Sequence, residues 1–321
     1  MSDPTDDLPA EYDRFEREGG MAVLERDLVT VTGPDAGRYL QSQLSQEVVA
    51  LPDGGSTWSL ILQPTGKVDA WIRVHRVTDE EYVLDVDAGW GESLVARLNR
   101  FLLRTKAEVG APEPGTMVAV RFGTGRVVLG DDEGSSGVSG PLSGTAVGLG
   151  VRGYDVVSRG RDAVVDSDQL VGPEAYERYR IAHGVPVMGA ELTDDTIPAE
   201  AGQWLIDASV SFTKGCYTGQ ELVARIDSRG GNVPRTVRLL VVDCEFPVAP
   251  GAEVRAEVRA EGQPVGTVTS ATPPLSPGHP GLLLAPLARS VAVGSTVEVE
   301  TLEGWMPAGV VEPPFVGHAP A

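Results

Sequence analysis

The sequence predicts an α+β protein whose C-terminal part is all-β. Two observations carry that class. Up to about residue 235, apolar runs at strand spacing are interleaved with segments whose apolar residues recur at helical spacing. From Thr236 onward the apolar runs are short and broken by Pro and Gly, and no long helix pattern remains, which predicts a small barrel. The 321 residues give room for two or three domains with cores of their own. No internal repeat is present.

Taken in order, residues 1–20 are rich in Asp, Glu and Pro and read as a disordered leader. Residues 28–32 form a short strand ending at Gly33-Pro34. A helix over 34–48 follows, with Pro34 at its first position and Ala36, Leu40, Leu44 and Val48 along one face. Strands are predicted at 58–62 and 68–77, joined by the turn Pro64-Thr65-Gly66-Lys67. In the second, Val68, Ala70, Ile72 and Val74 share one face, while Asp69, Trp71, Arg73 and His75 share the other, which is either solvated or pocket-lining. A strand at 81–87 and an amphipathic helix at 91–103 come next. Strands near 117–122 and 126–129 precede a flexible loop at 131–137. Further strands near 154–158 and 162–165 lead to a helix at 173–183.

Composition excludes several classes of function. The 26 basic and 46 acidic residues leave a net charge of −20, which argues against a nucleic-acid-binding surface, because phosphate neutralisation needs clustered Lys and Arg. No apolar run approaches the roughly 18–20 residues of a membrane helix, and residues 1–20 lack the pattern of a secretory signal. A soluble cytoplasmic protein is the expectation. Two cysteines, Cys216 and Cys244, are too few for a disulfide scaffold and suit a reducing compartment. With four scattered histidines they make no protein-only zinc or iron–sulfur site, so no tightly bound metal is expected.

Chemistry concentrates in residues 214–225, Lys-Gly-Cys-Tyr-Thr-Gly-Gln-Glu-Leu-Val-Ala-Arg. Thr218 and Glu221 have capping-box spacing and open a helix with Leu222, Val223 and Ile226 on one face. Glu221 and Arg225 are spaced for an i,i+4 ion pair. Cys216 precedes that helix start, two residues from Lys214, and both the dipole and the ammonium favour its thiolate. Cys216 is therefore the candidate functional thiol, with Lys214 as its helper. The alternative is an inert, packed cysteine. Gly215 and Gly219 suit close backbone approach. Gln220 and Glu221 serve either in capping or in ligand contact, and Cys244 reads as a core residue of the β domain.

The segment Lys214 to Gly230 resembles the signature K-G-C-[FY]-x-G-Q-E-x-V-A-R-x-x-x-R-G of the YgfZ family, folate-binding relatives of the glycine-cleavage T protein. Supporting segments are Val31-Thr32-Gly33-Pro34-Asp35-Ala36, Tyr39-Leu40-Gln41, Pro64-Thr65-Gly66-Lys67, Leu103-Arg104, Arg180-Ile181 and Ile197-Pro198-Ala199-Glu200, in this order over roughly 28–240. The resemblance implies a three-domain ring of two mixed α+β domains and a C-terminal β-barrel. The first domain would comprise 21–55 and 146–235, the inserted second domain 56–145, and the barrel 236–321.

It further implies that tetrahydrofolate or a derivative binds in a central cavity, and that the protein supports iron–sulfur cluster assembly or repair. Its partners would be the assembly machinery or client enzymes, including a tRNA-thiolating one. Candidate folate contacts are Asp69, Trp71, Arg73, Trp204, Tyr217, Gln220, Glu221, Arg225 and Arg229, with Cys216 beside the cavity. The T protein's two adjacent aspartates correspond here to Ala70 and Trp71, with Asp69 one residue out of place. The glutamate that follows its Arg-Leu pair is Ala182 here. The resemblance thus points to a retained folate site without the aminomethyl-transfer acids. The alternatives are a one-carbon transferase or demethylase acting through Asp69, and a non-catalytic folate-binding scaffold.

Overall fold

The computed structural model describes residues 8–121, 127–129, 142–146, 148, 151–160, 163–165, 169–243, 257–260, 262–275, 279–301 and 304–315. The predicted loop at 131–137 and Cys244 lie outside the described residues.

The expected leader is a helix from residue 8. Helix α1 (Leu8–Glu18) buries Tyr12 and Phe15, and the Phe15 ring meets Tyr179 edge-on at 4.9 Å. Two aromatics three residues apart lie on one helix face, which outweighs the acidic composition that predicts disorder. The chain continues into β1 (Gly20–Thr32), eight residues earlier than the predicted strand. Polar Glu25, Arg26 and Asp27 interrupt the alternation there, and Arg26 is tolerated inside because Asp85 and Asp87 meet it. Helix α2 (Ala36–Gln43) follows, then β2 (Ser56–Leu62), β3 (Val68–Arg76), β4 (Glu81–Asp87) and α3 (Gly91–Phe101). Next come β5 (Glu108–Val109), β6 (Glu113–Arg121), β7 (Val127–Leu129), β8 (Leu142–Thr145), β9 (Gly153–Arg159), β10 (Ala163–Val165), β11 (Leu170–Val171) and α4 (Pro173–Ala182).

One nine-stranded sheet runs β2-β3-β4-β1-β6-β9-β8, with β5 and β11 also pairing β1. The 13-residue β1 joins its halves: Arg26–Thr32 pair antiparallel with β4, and Gly20–Leu28 pair with β6. The sheet therefore continues across the expected boundary between residues 55 and 56. A sequence division cannot show this, because pairing partners more than fifty residues apart leave no local trace. Both faces of β3 are buried, so the face of Asp69, Trp71, Arg73 and His75 is not solvated.

Beyond α4 lie a 3₁₀ turn (Pro198–Ala201), α5 (Gln203–Ser209) and α6 (Gln220–Asp227). The strands β12 (Arg235–Val242), β13 (Glu257–Ala260), β14 (Gln263–Thr267), β15 (Ser270–Thr272), β16 (Gly281–Ala288), β17 (Thr296–Thr301) and β18 (Gly304–Val311) form the C-terminal unit. Its order is β12-β18-β17-β13-β14-β16-β15, and β12 also pairs β16, which closes the predicted barrel. Leu240, Val242, Leu283, Ala285, Val297 and Val310 fill its interior.

Helix α2 stops at Gln43, five residues short of the predicted end. Leu44 turns extended (φ −99°, ψ 147°). The Lys214 ammonium donates to the carbonyl oxygens of Gln41 (2.7 Å), Leu44 (2.6 Å) and Gln46 (3.0 Å), satisfying acceptors at the helix end. A cation 170 residues away in sequence thus ends this helix.

Candidate ligand-binding cavity

A cavity of about 720 Å³ opens where the large sheet, α4 and the barrel meet. Trp58 and Trp71 form an aromatic wall, stacked with centroids 4.3 Å apart. The Trp71 indole N–H donates to Ser209 Oγ at 3.0 Å. The 185–188 segment, Met117, Tyr176, Tyr179 and the 269–273 stretch complete the lining.

Four arginines line this space: Arg26, Arg121, Arg178 and Arg180. Arg26 contacts Asp85 (2.5 Å) and Asp87. Arg121 Nη1 donates to Asp155 Oδ1 at 2.8 Å, and the other Asp155 oxygen accepts from Arg73 at 2.9 Å. Arg73 also donates to Asp85 at 3.0 Å, so Arg26, Asp85, Arg73, Asp155 and Arg121 form one continuous buried chain of alternating charge behind the wall. Burial alone would raise Asp85 and Asp155, but the neighbouring guanidinium groups outweigh it and hold both below the usual carboxylate range. Arg26 and Arg121 are raised despite burial, which opposes their charge, because their carboxylates prevail. His75 lies 3.9 Å from Asp85, too far for a hydrogen bond, and burial lowers it, so it is neutral. Arg180 binds Glu177, Glu191, the Ser270 hydroxyl and the Val185 carbonyl. Arg178 is held instead by the carbonyls of Pro273 (3.1 Å) and Pro280 (2.8 Å).

Among the described residues, three buried polar atoms on the lining have no hydrogen-bond partner: Arg121 Nε, Arg178 Nε and Tyr179 Oη. Such atoms are rare in native interiors and call for a ligand or a water.

Comparison with known proteins follows this geometry. Residues 235–317 match the glycine cleavage T-protein C-terminal barrel domain. A tRNA-modifying protein YgfZ from Cronobacter sakazakii is 26% identical over 269 residues, spanning 76% of this chain and 77% of that protein. An iron-sulfur cluster assembly factor IBA57 homolog, mitochondrial, from Pyricularia oryzae is 29% identical over 250 residues, spanning 76% of this chain and 61% of the relative. The structure of glycine cleavage system aminomethyltransferase T from Bartonella henselae superposes with a TM-score of 0.73 over 97% of this chain and 90% of that one, at 17% identity. These matches support a YgfZ-type, GcvT-like relationship for the chain.

The fold distributes the sequence-predicted residues unevenly. Of them, only Trp71 lines the cavity. Trp204 stands behind it, edge-on to Trp71 at 6.1 Å. Arg73 is fully buried and bound to Asp85 and Asp155, which removes it from ligand contact. Asp69 accepts from Arg97 Nε at 2.7 Å and is not in the lining. The signature segment is not part of the lining: no described residue between 191 and 268, Cys216 included, lines the cavity.

Within that segment the predicted capping box is replaced. Gly219 is the N-cap in the left-handed region (φ 81°), no side chain caps the helix, and the Gln220 side-chain oxygen accepts from the Tyr217 N–H at 3.2 Å. The helix start is one residue later than the box requires; Glu221 and Arg225 are both exposed within α6, and no ion pair between them forms among the described residues. Arg229 is also exposed. Tyr217 packs against the core with the Lys214 ammonium 5.3 Å from its ring centroid, and burial pushes its hydroxyl up to about 12. Lys214 is pushed down to about 8 by burial, opposed by Glu47, and its ammonium is committed to the carbonyls of Gln41, Leu44 and Gln46 at and just beyond the end of α2. It is a structural clamp that shapes the loop carrying the exposed Cys216.

Gly219 meets the Pro64–Lys67 turn predicted from the sequence. A Cβ on Gly219 would lie 2.4 Å from the Gln63 carbonyl oxygen, and one on Gly66 2.4 Å from Leu222 Cβ. Gly215 has nothing within 4 Å. Gly219→Ala is therefore expected to lose about 1–3 kcal/mol from its backbone conformation alone, and more from the clash. Gly215→Ala should stay within about 0.5 kcal/mol. Urea unfolding of the two variants checks this, and equal effects would refute the close-approach role of Gly219.

The residues that sequence reading missed are Arg26, Asp87, Arg121, Asp155, Arg178 and Tyr179. The one local signal was the run Tyr176, Arg178, Tyr179 and Arg180 on a single helix, since arginines interleaved with aromatics on a buried element need partners.

Proposed function

We propose that this chain is a reduced-folate-binding accessory protein for iron–sulfur cluster assembly or repair, acting in the cytoplasm. The observation that carries the reading is the cavity. Its volume suits one small molecule, its tryptophan wall suits a flat heterocycle, and its unpartnered Arg121, Arg178 and Tyr179 atoms suit a ligand rich in donors and acceptors. Trp71, Trp58, Arg121, Tyr179 and Arg178 would hold tetrahydrofolate or a derivative, whose chemistry when bound is one-carbon carriage. The iron–sulfur branch draws its support from relatives named for cluster assembly and tRNA modification.

Cys216 is the side chain through which a partner's metal or thiol would be met. It is exposed, and one thiolate cannot hold a cluster unaided. Its loop is tied to the cavity wall: Lys214 grips α2, the Ser45 hydroxyl donates to the Ser209 carbonyl at 2.6 Å, and Trp71 donates to the Ser209 hydroxyl. Against the one-carbon transferase reading, Asp69 is held by Arg97 and does not line the cavity.

The test pairs a binding and a cellular measurement. Calorimetric titration with tetrahydrofolate should show binding that Cys216→Ala leaves unchanged, while the same variant lowers cluster-dependent enzyme activity in cells. Absence of folate binding would sink the folate half of the proposal. Full cellular activity of Cys216→Ala would sink the thiol half and leave a folate-binding scaffold.

A further inference from the structure

Arg178 differs from the other three arginines of the cavity. Arg26, Arg121 and Arg180 each meet a carboxylate within the protein. Among the described residues Arg178 forms no ion pair, although it is only 2% exposed. Its direct contacts are neutral groups, the carbonyls of Pro273 and Pro280, the Thr272 hydroxyl at 3.4 Å and the Tyr12 ring 5.1 Å from the guanidinium carbon, while the Asp13 carboxylate acts on it only from beyond ion-pair distance. Its Nε has no partner. Glu174, one helical turn earlier, also lines the cavity but is solvent-exposed and does not pair with it.

A buried charge without a directly paired counter-charge is unfavourable, and proteins pair such groups or use them. Here the charge sits on the lining of a cavity whose other arginines are already neutralised. We propose that Arg178 is the specificity-determining residue of this cavity, receiving a carboxylate of the bound ligand, so that the site selects a carboxylate-bearing folate over an uncharged pterin. The inference rests on the folate reading and extends it to the ligand's anionic end. Arginine suits this task because its planar fork matches carboxylate geometry. The orientation follows: the ligand's anionic end lies against α4 and the 272–275 segment.

The test titrates wild type, Arg178→Met and Arg178→Lys with two probes, tetrahydrofolate and tetrahydrobiopterin, the second a reduced pterin without a carboxylate. Arg178→Met is expected to weaken tetrahydrofolate binding about 30-fold or more while changing tetrahydrobiopterin binding less than about threefold, with Arg178→Lys in between. Arg178 also holds the Pro273 and Pro280 carbonyls, so the ratio between probes is the decisive quantity. A loosened barrel would weaken both alike. Equal losses, or no loss for either probe, overturn the proposal. Wild-type protein that binds neither probe overturns the folate reading itself.

Discussion

Replacing Asp85 by Asn is expected to destabilise the fold by about 3–5 kcal/mol, the range for breaking a buried ion pair by removing one partner. Asp85 is fully buried and meets two guanidinium groups at once, Arg26 at 2.5 Å and Arg73 at 3.0 Å. An amide of the same shape leaves Arg26 with Asp87 alone and Arg73 with Asp155 alone. It also loosens the point where β1, β3 and β4 are cross-linked by side chains, beside the cavity wall. The pH dependence has a fixed sign. Asp85 and Asp155 are depressed in the folded state, so their stabilisation is fully present above about pH 4 and is lost as pH falls below it. His75, lowered by burial, adds to acid destabilisation from about pH 6.5 downward, because it protonates more readily when unfolded. Urea unfolding from pH 7 to pH 3 should show a steep acid loss in wild type and a flatter curve in Asp85→Asn. Parallel curves would mean that the Asp85 charge is not part of the stabilising network.

Trp71→Ala is expected to lose a comparable amount, about 3–5 kcal/mol, by the cavity left when a buried indole is removed. Trp71 is 5% exposed, stacked on Trp58, edge-on to Trp204 and hydrogen-bonded to Ser209. Trp71→Phe retains an aromatic wall and forfeits one hydrogen bond, so its loss should be nearer 1 kcal/mol. The two variants separate packing from recognition. Where the wall holds a flat ligand, Phe should retain tetrahydrofolate binding and Ala should abolish it. Thermal unfolding alongside calorimetric titration measures both, and unimpaired binding by Trp71→Ala would remove the tryptophan wall from the site.

The signature at 214–225 shows which parts of a site are legible in a chain. Its residue types and spacing disclosed the family, and the glycine at 219 was correctly read as a place of close approach. The roles of its charged residues were not legible. Lys214 lies two residues from Cys216, and sequence proximity suggested an activated thiol. In the fold its ammonium turns to α2, because three carbonyl oxygens at a helix end offer a buried cation more than one neighbouring sulfur does. The capping box failed for a related reason. Gly219 must be left-handed to pass the Gln63 carbonyl, and that conformation delays the helix start by one residue.

By itself, the sequence determined the α+β class, the closed barrel after Thr236, most strands of the large sheet, and the resemblance to the YgfZ-type family. These rest on hydrophobic periodicity, turn residues and a contiguous motif, all of which are local. Only the tertiary structure decided where the cavity is and what lines it. Arg26 from β1, Arg121 from β6, Asp155 from β9, Arg178 from α4 and Ser270 from β15 converge from segments with no shared pattern. It also decided which of the lining arginines meet a carboxylate within the protein and which one, Arg178, does not. The reason is physical: the state of a buried charge depends on the counter-charges that folding brings within a few ångströms, and that distance is not written in the order of residues.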